Sequence, residues 1–231
     1  MTCGILLPLL SITIYKMRWI DSSVKLLTTE PAESILARIE LATRTCYRSE
    51  DKITEGSAEK LIRGCLKRGH ESIIEHGSLT FEVICDRGVS HELVRHRMAS
   101  YSQESTRYCA YNKDKFGNQL TFIKPYWVDE PDHEEDVKAI DRATAYAEEA
   151  YLDMLNKGTP PDIARCILPN CLATKIIVTM NMRELRHFIK LRASKYAHGD
   201  IQIIAKQMYK IIKDYGLGVF VEDIDIGDDN I

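Results

Sequence analysis

The chain has 231 residues, 45% hydrophobic and 28% charged, which suits one globular domain with a substantial core and excludes a disordered or fibrous chain. Its formal charge of −3, from 31 Lys and Arg against 34 Asp and Glu, argues against a general nucleic-acid binder; arginines clustered on an acidic chain suggest a discrete anionic ligand instead. Seven cysteines, odd in number and without a C-x-x-C pair, read as reduced thiols of a cytoplasmic protein, mostly filling the core.

The apolar stretch from Cys3 to Tyr15 is too short to span a bilayer of ~30 Å, and it lacks a basic n-region and a small-residue cleavage site. Residues 1–16 read as an apolar extension ahead of Met17-Arg-Trp-Ile, residues 17–216 as the domain, and residues 217–231 as an acidic tail that frays from Glu222. No membrane contact is expected.

A strand is expected near Val24–Thr28. Pro31 suits the first turn of a helix carrying Ile35, Ile39, Ala42 and Cys46 on one face and ending near Arg48. A second helix runs from about Ser57 to Arg68, with Gly69 as its stop. The segment His70 to His76 leads into Leu79–Cys85, whose alternation is that of a strand with one buried face. Ser90 is placed to cap a short helix from His91 to Val94 that delivers Arg95 to its end. In an extended segment beyond it, Arg95 and Arg97 share one side and His96 faces the other.

From Tyr108 to Pro131 the chain is turn-rich, with one strand at Leu120–Lys124 and little to suggest catalysis. Asp132 to Lys157 is a long amphipathic helix, its early acids suiting the positive end of the dipole. Thr159 and Pro160 predict a new helix reaching Pro169 and presenting Arg165, whose ordinary reading is an i, i+3 pair with Asp162. Thr174–Met180 is a buried strand by its β-branched content. Asn181 caps the next helix, with Glu184 at the capping-box position and Leu185, Phe188 and Ile189 facing the core. Asp200 to Lys213 is the last helix.

The histidines invite a metal reading, but His70 and His76 are badly spaced, and His91-Glu92-Leu93-Val94 reaches Arg95 where H-E-x-x-H requires its second histidine. No metal site is assigned. The stretch Arg95 to Tyr108 is richer: three basic residues in a row, then hydroxyls, an amide and Arg107. Arginine offers a planar fork matched to phosphate oxygens, and Ser, Gln and backbone N–H groups complete such a shell without adding charge. A solvated basic turn is the plainer alternative for the triplet alone.

Arg-His-Arg, seven residues, then Ser105 and Arg107 resembles the signature of the flavin-dependent thymidylate synthases. The resemblance covers roughly residues 24 to 215. It implies an α+β domain, mainly antiparallel sheet packed with helices, assembling as a homotetramer with sites shared between subunits. It implies reductive methylation of dUMP to dTMP, with methylenetetrahydrofolate as carbon donor, FAD as hydride carrier and NADPH as reductant. By the same resemblance dUMP lies against Glu92, Leu93, Val94, Arg95, Gln103, Glu104, Ser105, Thr106 and Arg107, with Arg165 reaching a neighbouring subunit's site. FAD lies along His70, Ser72, Arg95, His96, Arg97, Gln103, Asn181, Met182, Arg183 and His187. Arg192 is placed against the uracil ring and is the residue chosen for the chemistry; its plainer alternative is a surface arginine pairing with an acid. An acid at Glu92 would repel phosphate unless it faces the sugar or an arginine. Tyr196 and His198 receive no role. The rivals are a single-strand nucleic-acid groove and a metal hydrolase, neither of which predicts a yellow protein.

Overall fold

The computed structural model describes residues 18–227, so the apolar extension at 1–16 lies outside the described residues. Two strands come first, β1 (Arg18–Ile20) and β2 (Ser23–Leu26), then helices α1 (Ala32–Thr45) and α2 (Ser57–Lys67). Next come β3 (Ser78–Asp86), α3 (Arg87–Leu93), β4 (Ala99–Gln103), β5 (Thr121–Ile123), the long α4 (Glu134–Asn156) and α5 (Pro161–Ala164). The described chain closes with β6 (Ala173–Asn181), α6 (Met182–Arg192) and α7 (Gly199–Ile212).

The main sheet is antiparallel, in the order β2-β3-β6-β4. Its register follows from the period of two: Leu79, Phe81, Val83 and Cys85 are buried and lie opposite Met180, Val178, Ile176 and Thr174. The other face pairs the Thr80 and Thr179 hydroxyls at 2.9 Å and Lys175 with Glu82 at 3.1 Å. A slip of one residue would drive those charges into the core. Against the apolar face pack Ile35 and Ile39 of α1, Leu185, Phe188 and Ile189 of α6, and Ile204 and Met208 of α7. Gly77 is required there, because a Cβ would sit 2.8 Å from the Ile39 side chain and 2.9 Å from that of Ile35. This mixed helix and antiparallel-sheet domain is the expected fold class.

A smaller cluster forms where β1 and β5 pair in parallel. Trp19 and Phe122 meet there at 5.3 Å between ring centroids, and Tyr151 and Leu155 of α4 cover Leu120, Phe122 and Leu172.

Four local expectations are corrected. The short helix begins at Arg87, because Asp86 closes β3 and accepts from the Val89 N–H at 2.6 Å; Ser90 instead donates to the Arg87 carbonyl. The helix expected from Thr159 to Pro169 shrinks to α5 and a 3₁₀ turn at Arg165–Ile167, since Leu168 turns extended ahead of Pro169 and Thr159 supplies no cap. Strand β4 was not expected at all. Finally, the segment after Glu222 does not fray within the described residues: Val219, Phe220, Val221, Ile224 and Ile226 are buried, and Arg186 grips the Asp223 carboxylate at 2.6 and 2.8 Å. Two of the acids read as a frayed tail, Glu222 and Asp223, are arginine partners.

Candidate active site

The site follows from sheet topology. Ala99 at the start of β4 lies opposite Met180 near the end of β6, and β6 runs directly into α6. Residues just before β4 therefore arrive beside the first turns of α6. Asn181 fixes that junction, its side-chain oxygen accepting from the Glu184 N–H at 2.9 Å, as its position predicted. The Tyr101 hydroxyl points back along the chain, shared between the carbonyls of Leu93 (2.8 Å) and His96 (2.7 Å). It holds the turn Val94–Arg97 against the sheet, and burial with the nearby Glu184 charge pushes its pKa up to about 12.

At the centre His96 is buried, 5% exposed. Its Nδ1 lies 2.8 Å from Glu184 Oε1, and its Nε2 lies 3.2 Å from Arg192 Nε. An arginine Nε always carries a hydrogen, so Nε2 of His96 must accept and Nδ1 must carry the proton donated to Glu184. Burial first, then the Arg192 charge and His187, lower the imidazole pKa, against the opposing pull of Glu184. The neutral ring is the resting form.

Arg192 is held from a second direction by Glu92, whose carboxylate accepts at 2.7 Å and whose carbonyl accepts at 3.3 Å. Three of the five guanidinium N–H donors are thus engaged and two remain for a ligand. The side chain is 17% exposed, so it is neither a surface arginine nor a sealed one. Glu92 faces an arginine, which removes the difficulty of an acid beside phosphate.

Around this core the outward-facing residues divide sharply. Arg95, Arg97 and Arg107 are exposed and have no carboxylate partner among the described residues. Their surroundings include exposed His187, whose ring lies 5.5 Å from that of His96, together with exposed Val94 and half-buried Ser105. Arg183 is different, being paired with Glu75 at 2.5 Å and near Glu71 at 3.9 Å. His70 and Ser72 are exposed around the 3₁₀ turn at Glu71–His76. Gln103 donates its amide to Ser90 (2.9 Å) and Thr174 (3.3 Å), while Glu104 accepts from Tyr111 at 2.7 Å. Thr106 is buried, and the side chains of Leu93 and Met182 lie wholly in the core. Arg165 is exposed and makes neither the pair with Asp162 nor any contact with the signature among the described residues.

Three neighbours escaped the sequence reading. Glu184 looked like a capping-box acid, yet its carboxylate goes to His96. Tyr101 carried no signal beyond its position. His198 sits 3.8 Å from both Glu92 and Asp200, beside the Asp86 and Asp200 carboxyls, which burial shifts upward.

Residues 26–215 match the family model described as thymidylate synthase complementing protein. The chain belongs to the flavin-dependent thymidylate synthase family. Among its relatives, the flavin-dependent thymidylate synthase of Geobacter sulfurreducens is 36% identical over 191 residues, 80% of each chain. The structure of a UMP/dUMP methylase from Streptomyces cacaoi, bound with 5-Br dUMP, superimposes with a TM-score of 0.72 at 27% identity, covering 89% of this chain and 97% of that one. Thymidylate synthase X of Helicobacter pylori, solved with FAD and dUMP, shares the fold at a TM-score of 0.70 and 23% identity, covering 87% of this chain and 98% of that one. The matched span takes in β3, β4 and β6 of the main sheet and α6, the elements that place His96 and Arg192.

Proposed function

We propose that this chain is a flavin-dependent thymidylate synthase that converts dUMP to dTMP in the cytoplasm, with FAD as hydride carrier, methylenetetrahydrofolate as carbon donor, NADPH as reductant and tetrahydrofolate as product. The observation that carries the reading is the pairing of a preorganised interior guanidinium, Arg192, with exposed ones that have no carboxylate partner among the described residues, Arg95, Arg97 and Arg107, on a net acidic chain. Unpaired forks of donors fit the phosphates of a dinucleotide and of a nucleotide monophosphate. Arg95 and Arg97 would hold FAD, with His70, Ser72, the Asn181 amide group and His187 at its edges. When bound, the flavin supplies the hydride that reduces the transferred carbon.

The protein's own part is binding and electrostatics. C5 of uracil becomes nucleophilic only if negative charge on the ring is stabilised, and the two remaining Arg192 donors offer that in fixed geometry. Arg107 and Ser105 anchor the phosphate. Among the described residues no cysteine is poised to add to the ring: Cys65 and Cys85 are buried in the core, Cys109 and Cys171 have their thiols pushed upward by burial, and Cys46 and Cys166 are exposed without a partnered base.

Arg165 fits the reading as a contribution to a neighbouring subunit's site in a homotetramer, because within its own chain it stands apart from the signature. The purified protein should be yellow, quench the fluorescence of added FAD, and form dTMP from dUMP. A colourless protein with no flavin response would refute the cofactor. Mixing inactive Arg165→Ala with inactive Arg107→Ala should restore activity in mixed tetramers; no recovery after verified subunit exchange would refute shared sites.

A further inference from the structure

We propose that Glu184 is a positioning residue for the methylation: it accepts the Nδ1 proton of His96, steadies the imidazole with its Nε2 lone pair toward Arg192, and so aims the guanidinium at the substrate. The proposal rests on the reading of Arg192 given above. The links are each on hand: Glu184 Oε1 to His96 Nδ1 at 2.8 Å, His96 Nε2 to Arg192 Nε at 3.2 Å, and Arg192 to Glu92 at 2.7 Å. Only one proton arrangement satisfies them all, because Nε2 has to accept from a permanently charged donor. Among the described residues buried Glu184 has no side-chain hydrogen-bond partner but His96, and its backbone N–H is already committed to the Asn181 cap, so the cap bond does not depend on the carboxylate.

His96, Glu184 and His187 also bring one potential ligand atom each within 4.8 Å of one another. A metal ion does not suit them. The His96 Nδ1 lone pair is occupied by its proton, and the Arg192 guanidinium beside Nε2 would repel a dication. The cluster orients a cationic side chain instead.

The arrangement has a pH signature. The charged or titratable groups facing His96 among the described residues are Glu184, His187 and Arg192 from α6 and the Tyr101 hydroxyl from β4, with Glu92 of α3 behind Arg192. Protonating His96 places a second N–H against the Arg192 Nε–H, so the hydrogen bond is lost and two cations meet. Turnover should therefore fall on the acid side as His96 titrates.

Glu184→Gln and Glu184→Ala separate aiming from mere support. In Glu184→Gln the side-chain oxygen still accepts the Nδ1 proton but its charge is gone. Plateau kcat should stay near wild type, while the acid limb and the NMR-detected titration of His96 both move down by about one pH unit. In Glu184→Ala plateau kcat should fall about tenfold with little change in KM for dUMP. A purely structural acid would shift the unfolding midpoint without moving the acid limb. An unmoved His96 titration in Glu184→Gln, or a plateau kcat in Glu184→Ala within twofold of wild type, would overturn the proposal. The NMR titration needs no turnover, so a wild-type protein inactive on dUMP would sink the functional reading and leave this test standing.

Discussion

Arg186 and Arg192 stand six residues apart on α6, and both are drawn inward by charge partners, yet they are finished differently. Arg186 is 2% exposed, bound in a fork to Asp223 and to the Phe220 carbonyl, with Glu71 at 3.5 Å. Nothing of it faces a ligand. Arg192 has one edge tied by His96 and Glu92 and the other left open. One helix thus uses the same side chain as a clamp on the C-terminal segment and as an electrostatic tool. The difference lies in where the partners come from: Arg186 meets a segment that closes over it, whereas Arg192 meets α3 and the turn before β4, where the rim residues Arg95 and Arg97 have no carboxylate partner among the described residues.

The largest expected effect falls on the clamp. Arg186→Ala removes a buried guanidinium and its charge-assisted hydrogen bonds to Asp223, whose half-exposed carboxylate stays solvated, so chemical denaturation should show a stability drop of about 2–3 kcal/mol. If stability barely changes, the C-terminal segment is not held by Arg186.

The rim should respond more mildly and without loss of fold. Arg97→Ala should weaken FAD binding about tenfold, as expected for one charge-assisted contact, with its unfolding midpoint preserved. Fluorescence titration decides it, and an unchanged affinity would show that Arg97 faces solvent only.

The smallest effect tests a region remote from both. Glu148 of α4 is buried, accepts from the Leu120 N–H at 2.8 Å with one oxygen, and leaves the other without a partner. Burial raises its pKa in the folded state, so its ionisation opposes folding: any stability it contributes is present below the ordinary value and is lost as pH rises through the raised one. Glu148→Gln should be the more stable protein at pH 8 by about 1 kcal/mol, with the advantage shrinking as pH falls through the raised value and levelling off below the ordinary one. Urea unfolding at several pH values would show the opposite trend if the carboxylate were paired.

Much of this was legible in the residues. The alternation in β3 and β6 and the Asn181 cap were visible because local pattern and tertiary burial agree there. β4 was hidden because Ala-Ser-Tyr-Ser-Gln lacks the β-branched, apolar signal, and its strand state comes from pairing with β6 at the sheet edge. The tail was misread for a similar reason: Glu222 and Asp223 look solvated until Arg63 and Arg186, far away in sequence, are brought to them. In the site, the basic triplet announced itself, but the use of His96 depends on Glu184 and Arg192, 88 and 96 positions away, which no local spacing reveals.

The central claim is that Arg192 stabilises charge developing on the uracil ring rather than merely supporting the fold. The decisive measurement is dTMP formation by FAD-loaded Arg192→Ala at saturating dUMP, with flavin absorbance and unfolding midpoint recorded on the same preparation. The account predicts retained flavin, an unchanged midpoint and a turnover lower by about 10²-fold or more, as for loss of a preorganised donor acting in the transition state. Near-normal turnover in that loaded, folded variant would contradict it.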